Sequence, residues 1–358
     1  MTQSEVTWES ILEANSIINS VPHTKLLMLG DKNSGKSSFL QNAFQTNPTT
    51  DVLMSYNYYS HRDSDTNDLL MESDIYSISK DLPVNIELLV QEFSLDTLCC
   101  IFLNWEEPGS FLQTIEKWMM FLLNVVDIYL KRQFKIQDTQ RTVFVETQVP
   151  DELSDYKKAY DKVEEAKLAL KRIIQLFKES QSRDWTIQND LSQLDIIPLN
   201  QGCLDVNIGV QVVFVLAKSD LCRTMVDKLE LTSSKLEFML QAIRKVALTI
   251  GAGVFSISSK SNLEVTLSEY LLHRLNRSLF SFSKDINAID ISHLVIPAGW
   301  DSLSKIKSIS NASNLDESFL VRIAFEDGKH NVGISAKSHY KKQFPEKMEQ
   351  DNEDVVCF

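Results

Sequence analysis

Positive charge is what this chain has least of: 36 Lys and Arg stand against 49 Asp and Glu, for a net charge of −13 and a pI near 5.0. A nucleic-acid binder, or a protein docked electrostatically on acidic membrane, would present a basic face, so neither partner is expected. Protein partners fit better. Cysteine is sparse and unpatterned. Cys99, Cys100, Cys203, Cys222 and Cys357 are five in number with no Cys-x-x-Cys spacing, which indicates neither a zinc site nor a disulfide framework. No apolar run approaches the roughly 20 residues that span a bilayer. Residues 1–22 carry Glu5 and Glu9 where a secretory leader would be basic, so neither a signal peptide nor membrane insertion is expected. Cys357 stands second from the end, the wrong place for prenylation. Together these absences point to the cytosol.

What is present is organised around residues 25–44. Five apolar-leaning residues lead into Gly30-Asp31-Lys32-Asn33-Ser34-Gly35-Lys36-Ser37, and an amphipathic run starting at Ser38 follows. Strand, glycine-punctuated loop and helix in that order make a phosphate-binding loop in its required context. Gly30 and Gly35 permit the tight turn. The backbone N–H groups of Asn33, Ser34, Gly35 and Lys36 would face phosphate oxygens from a helix N-terminus, Lys36 supplies charge, and the Ser37 hydroxyl suits Mg²⁺. A glycine-rich connection that holds no nucleotide is the alternative; it leaves the fold reading intact.

At 358 residues and 43% hydrophobic the chain can bury one large α/β core, with roughly 70 residues left for extensions. Residues 7–19 read as a short helix with Trp8, Ile11 and Leu12 on one side, covering the domain edge or meeting another protein. Strand-like stretches follow at 54–59 and 74–79, a helix at 86–93, and a continuous apolar run at 98–103 of the kind found in a central parallel strand. Ser110 with Gln113 reads as a capping box for a helix to 132. Residues 151–180 form a charged helix whose seam, Leu153, Tyr156, Tyr160, Val163, Lys167, Leu170, Ile174 and Phe177, suits one partner helix, either 110–132 or one from another chain. A strand at 210–216, a helix capped by Ser234 and stopped by Gly251, a strand at 254–257 and an Asn262-capped helix to 280 complete the pattern. Strand alternating with helix predicts an α/β fold with a doubly wound, mostly parallel sheet. The expected division is an N-terminal helical extension (1–22), a P-loop domain (23–282) with a helical insertion at about 133–204, and a partly disordered C-terminal extension (283–358).

Two further segments bear on chemistry. Ala217-Lys218-Ser219-Asp220, at a strand end, keeps the Lys and Asp of the guanine-reading Asn/Thr-Lys-x-Asp motif and loses its first residue. There the Asp carboxylate would accept from the base and the Lys stem lie along the ring. Ser258-Ser259-Lys260, one strand later, resembles the loop that completes a base pocket. The switch-two motif Asp-x-x-Gly is missing: between Asp74 and Asp81 no glycine follows an aspartate at that spacing, so neither the γ-phosphate sensor nor the residue that orients water is in place. Lys32 also occupies a position that small GTPases keep as glycine.

The chain resembles the dynein light intermediate chains over nearly its whole length, as a divergent, fungal-like member. The resemblance rests on Trp8-Glu9-Ser10-Ile11-Leu12, the phosphate loop, Phe93-Ser94-Leu95-Asp96-Thr97-Leu98 with Glu107-Pro108 and Trp118, Ile197-Pro198-Leu199, Asn207-Ile208-Gly209-Val210, Gly251-Ala252 and, most specifically, Ile296-Pro297-Ala298-Gly299-Trp300-Asp301. It implies a Ras-like G domain, held on the dynein heavy-chain tail, in a cytoplasmic, microtubule-associated motor, with a C-terminal tail that recruits cargo adaptors. GDP or GTP with Mg²⁺ is the implied cofactor, and none at all is the alternative. Ala217, the missing glycine and a chain that ends at Phe358 depart from the family pattern.

Three classes of function follow: a non-catalytic dynein subunit, a GTP-binding switch with slow hydrolysis, and a P-loop small-molecule kinase. The last needs an arginine-rich lid, and residues 131–204 hold only Arg132, Arg141, Arg172 and Arg183. In the tail, Leu294 to Trp300 suits docking on the domain itself or on the heavy chain. Phe319, Leu320, Ile323 and Ala324 fit one face of a short helix capped by Asp316, a candidate partner-binding face. Residues 330–358 have almost no apolar pattern and are expected to be mobile.

Overall fold

The structure is a computed structural model and describes residues 21–46, 54–63, 65–134, 154–180, 199–228, 231–308, 321–326 and 329–334. Trp8, Ile11, Leu12, Phe319 and Leu320 lie outside the described residues.

Seven strands form one sheet: β1 (His23–Leu29), β2 (Met54–Arg62), β3 (Leu69–Ile78), β4 (Leu98–Asn104), β5 (Gln211–Ala217), β6 (Gly253–Ser256) and β7 (Val295–Ile296), in the order β2-β3-β1-β4-β5-β6-β7. The five from β3 to β6 run parallel, and β2 and β7 add antiparallel edges. The sequence dictates the centre. Every residue from Leu98 to Leu103 is at most 1% exposed, as an apolar run must be when helices cover both faces of its strand.

Alternate residues go to opposite faces. Leu27, Leu29, Cys99, Ile101, Phe214 and Leu216 pack under α2 (Pro83–Glu92), α3 (Phe111–Phe134) and α6 (Ser233–Ile250). Leu26, Met28, Cys100, Phe102, Val213 and Val215 pack under α1 (Lys36–Phe44) and α7 (Leu263–Leu275). Each fully buried Leu or Phe contributes roughly 1.5–3 kcal/mol. This is the doubly wound α/β sheet that the alternating pattern predicts.

Local details differ from the sequence reading in several places. Ser110 does not cap α3. It ends a 3₁₀ turn, Pro108–Ser110, and its hydroxyl donates to the Glu107 carbonyl at 2.8 Å. The cap of α6 is Thr232, whose hydroxyl oxygen accepts from the Lys235 N–H, where the sequence suggested Ser234. Gly251, at φ +70°, ends α6 as expected. Helix α7 stops at Leu275, five residues before the expected end at 280; the Asn276 side chain turns the chain there by accepting from the N–H groups of Ser278 and Leu279.

The long helix α4 (Ser154–Ser180) has two neighbours rather than one. Val163 joins the core beneath α3, whereas Leu170 and Ile174 pack with Leu204, Leu248, Ala298 and Ile306. Lys167 interrupts the seam, pairs with Glu164 at 3.0 Å, and offers its carbonyl to Asn207.

The segment after α7 returns to the domain. Strand β7 pairs with β6, Ala298 N–H donates to the Tyr270 hydroxyl at 3.0 Å, and Ile306 of α8 (Leu303–Ser308) is buried. Of the two sites suggested for residues 294–300, their own domain is the one occupied. Beyond it, Ile323 and Ala324, expected on the short helix, do not lie on one. Val321–Glu326 is a strand, β8, paired antiparallel with β9 (Lys329–Ile334), with Ile323 in register with Val332. Residues 330–334, the start of the stretch expected to be mobile, therefore lie in a strand, and Ile334 at its end is 4% exposed in the core. Four residues at i, i+1, i+4, i+5 spacing cannot separate helix from strand, and Asp327-Gly328 in the sequence is a hairpin signal between the two strands.

Candidate functional site

The parallel strands bring their C-terminal ends to one edge of the sheet, where open α/β sheets place ligands. Here β1 runs into the phosphate loop, β5 into Lys218 and Asp220, and β6 into Ser258, Ser259 and Lys260. The sequence-predicted loops thus meet on one edge.

The loop is tightly drawn. A Cβ on Gly30 would sit 2.7 Å from Ser34 Oγ and 2.9 Å from Phe102 Cβ; Gly35 adopts φ +94° as it opens α1, and a Cβ there would lie 3.0 Å from Ala217. Only glycine fits at either position. Asn33 takes φ +62°, a left-handed turn that asparagine tolerates. Ser34 is 1% exposed and its N–H donates to the Asp31 carbonyl at 3.2 Å. Ser37 and Ser38 stand exposed at the start of the helix.

Lys36 is the buried charge of the site. Its ammonium donates to the carbonyls of Gly30 at 2.7 Å and Asp31 at 2.9 Å, and to Ser34 Oγ at 3.0 Å. Burial pulls its pKa down to about 7, with the Asp31 carboxylate resisting and the Lys117 ammonium adding to the fall. Lys117, on α3, pairs with the Asp31 side chain.

At the base end, Lys218 takes φ +61° and its ammonium pairs with Glu106 at 2.9 Å. The Asp220 carboxylate accepts from Lys260 at 2.9 Å and from the Ser258 hydroxyl at 3.2 Å. Burial would raise the Asp220 pKa, but Lys260 and the hydrogen bonds outweigh it and hold it below the usual range. Ser219 N–H donates to the Ile257 carbonyl at 3.0 Å. Asp220 and Lys260 therefore lie together, while Ser259 is exposed and makes none of these bonds.

The donor set fits phosphate: a left-handed turn of N–H groups at a helix start, a lysine among carbonyls, and a hydroxyl at the position that would hold Mg²⁺. The base end fits less well, because Ala217 offers no side-chain hydrogen bond and Asp220 already has two partners. The switch-two region fits least. Asp74 lies on β3 opposite Lys25, far from the loop edge, and bonds His23 and Tyr56 at 2.7 Å each. After β3 the chain enters α2 directly through Leu82 and Pro83, and the Asn85 side chain ties down the Lys80 carbonyl. No glycine N–H stands where a γ-phosphate sensor belongs.

Sequence reasoning missed Asp31, Lys117 and Glu106 as site residues, and named Ser258 only as part of the Ser258-Ser259-Lys260 loop. Lys117 is 86 residues from Asp31, and no spacing rule links a helix face to a loop at that distance. Of the partner candidates, Trp300 is half-buried against both core clusters, with the Lys305 ammonium 3.8 Å from its ring centroid. Among the described residues no group of three or more His, Cys, Asp or Glu could hold a metal ion, and no helix is long and apolar enough to cross a membrane.

Comparison with known proteins adds an independent line. Residues 2–320 match the family model for the dynein light intermediate chain (DLIC). Among curated proteins, the chain is 23% identical over 290 residues to cytoplasmic dynein 1 light intermediate chain 1 of Gallus gallus, covering 78% of this chain and 51% of that one. The Homo sapiens protein of the same name is 23% identical over 303 residues, with 78% and 50% covered. The chain thus spans about half the length of the curated relatives it matches. Among solved structures, the crystal structure of the dynein light intermediate chain's conserved domain superposes with a TM-score of 0.63 at 18% identity, covering 92% of this chain and all of that one. At that identity the likeness speaks for the fold alone, the doubly wound α/β sheet described above.

Proposed function

The chain belongs to the dynein light intermediate chain family, and from that premise we propose that it is a non-catalytic subunit of the cytoplasmic dynein motor, holding the heavy-chain tail and helping to link the motor to cargo. It would work in the cytoplasm on microtubules, in minus-end-directed transport. The observation that carries this reading is the family match across residues 2–320, which takes in both the G domain and the Ile296–Asp301 segment. Candidate contacts with the heavy chain are Trp8, Ile11, Leu12 and Trp300. The C-terminal extension is the candidate for cargo adaptors.

Nucleotide would serve structure rather than turnover. Lys36 and Ser37 support binding of GDP or GTP with Mg²⁺. Ala217 removes one neutral hydrogen bond to the base, worth roughly 1 kcal/mol or about fivefold in affinity. The direct entry of β3 into α2 supports the absence of hydrolysis. A second reading, a slow GTP-dependent switch, is favoured by the complete phosphate cradle alone. Purifying the tagged chain from its native cytosol separates the two. Dynein heavy chain in the eluate supports the subunit reading, and an eluate without it, at matched expression, overturns that reading.

A further inference from the structure

Lys117 belongs to none of the motifs read from the sequence, yet it reaches the phosphate loop from α3. Its neighbour Trp118 is fully buried in the core, so the lysine springs from a fixed point, with its ammonium 5.0 Å from that indole ring. The ammonium pairs with the Asp31 carboxylate, and the Asp31 carbonyl in turn receives the Lys36 ammonium at 2.9 Å. Two positive charges and one negative therefore share one edge of the loop. The Lys117 and Asp31 side chains keep 32% and 48% of their exposure. A pair so hydrated is weak and exchangeable. A terminal phosphate carries about −1.5 to −2 charge near pH 7 and offers several strong acceptor oxygens, so it outcompetes a single carboxylate for a lysine already at the loop.

Resting on the reading that this loop takes a nucleotide's phosphates, we propose that Lys117 is a specificity-determining cation of the site, held by Asp31 at rest and passed to the terminal phosphate of the ligand. Asp31 is then the resting counter-charge, and Lys117 strengthens binding as the phosphate chain lengthens. The two residues act in opposite directions. Loss of Lys117 weakens a triphosphate more than a diphosphate, whereas loss of the Asp31 charge frees Lys117, leaves the carbonyl contacts of Lys36 in place and tightens the triphosphate. A purely structural pair would behave otherwise, with both losses weakening binding together.

The test is titration calorimetry of the full chain with GDP and with GTP, each with Mg²⁺, for wild type, Lys117→Met, Lys117→Arg, Asp31→Asn and Lys36→Ala. The ratio of GTP to GDP affinity should fall about fivefold in Lys117→Met, the scale of one partly exposed charge contact, and be retained in Lys117→Arg, while Asp31→Asn binds GTP more tightly than wild type. An unchanged ratio in Lys117→Met, or weaker GTP binding in both Lys117→Met and Asp31→Asn, overturns the inference and leaves the nucleotide reading standing. A wild type that gives no binding heat, or one that Lys36→Ala matches, overturns the nucleotide reading and the inference with it.

Discussion

Arg244 on α6 holds Asp301 at both carboxylate oxygens, Nε to Oδ2 at 2.7 Å and Nη2 to Oδ1 at 2.8 Å, with the arginine side chain 0% and the aspartate side chain 8% exposed. The third contact, Nη1 to the Ala288 carbonyl at 3.2 Å, ties the same guanidinium to the chain before β7. Asp301 closes the Ile296–Asp301 segment, so this pair fastens that segment to the α/β domain. Removing one partner strands the other's charge in the core, at a cost of roughly 3–5 kcal/mol. Asp301→Ala should therefore lose about that much in urea unfolding, and an apolar pair, Arg244→Met with Asp301→Leu, should recover most of it. A loss below about 1 kcal/mol in Asp301→Ala would mean that the pair does not fasten the segment.

The start of α6 gives a sharper contrast. The Thr232 hydroxyl caps the helix, and loss of such a cap costs about 1 kcal/mol. Thr232→Ala should show that loss by thermal or urea unfolding, and Ser234→Ala should be near neutral. The reverse ranking would restore the sequence's choice of cap.

Lys36 makes stability depend on pH in a definite direction. Its folded pKa of about 7 lies below its ordinary 10.5, so between those values the unfolded chain holds a proton that the folded chain does not. Stability from this group therefore rises with pH across that window and is lowest below pH 7, by a few kcal/mol in total. Lys36→Met should be more stable than wild type at pH 7, with the gain shrinking toward pH 10 in paired unfolding curves. A difference that does not vary with pH contradicts the buried, pKa-lowered lysine.

These sites also show what a sequence yields and what it withholds. The phosphate loop, Lys218 with Asp220, and the central strands were legible because each depends on neighbours within a few residues: glycine spacing, an apolar run, a helix start. Thr232 against Ser234 was not, because both are good caps two residues apart and only the helix's first turn selects between them. Phe319 to Ala324 misled because so short a run fits two periods. Asp31 with Lys117 and Arg244 with Asp301 are partners 86 and 57 residues apart, brought together by the sheet order and by nothing local.

Hydrolysis should be negligible. With no glycine in the link between β3 and α2 and with Lys32 in the loop, that link neither orients a water nor senses a γ-phosphate. Single-turnover conversion of GTP by the purified chain should match the spontaneous rate in buffer, and a clearly faster reaction would favour the switch reading.

The central claim is that this chain is a subunit held on the dynein heavy chain whatever its nucleotide. The purified chain, mixed with a heavy-chain tail and passed over a sizing column with light-scattering detection, should co-elute as one stoichiometric species. The complex should be equally abundant with GDP, with GTP and with Lys36→Ala. Separate elution of a folded chain and a folded tail would contradict the subunit reading, and a complex formed with only one nucleotide would contradict its non-catalytic, scaffold character.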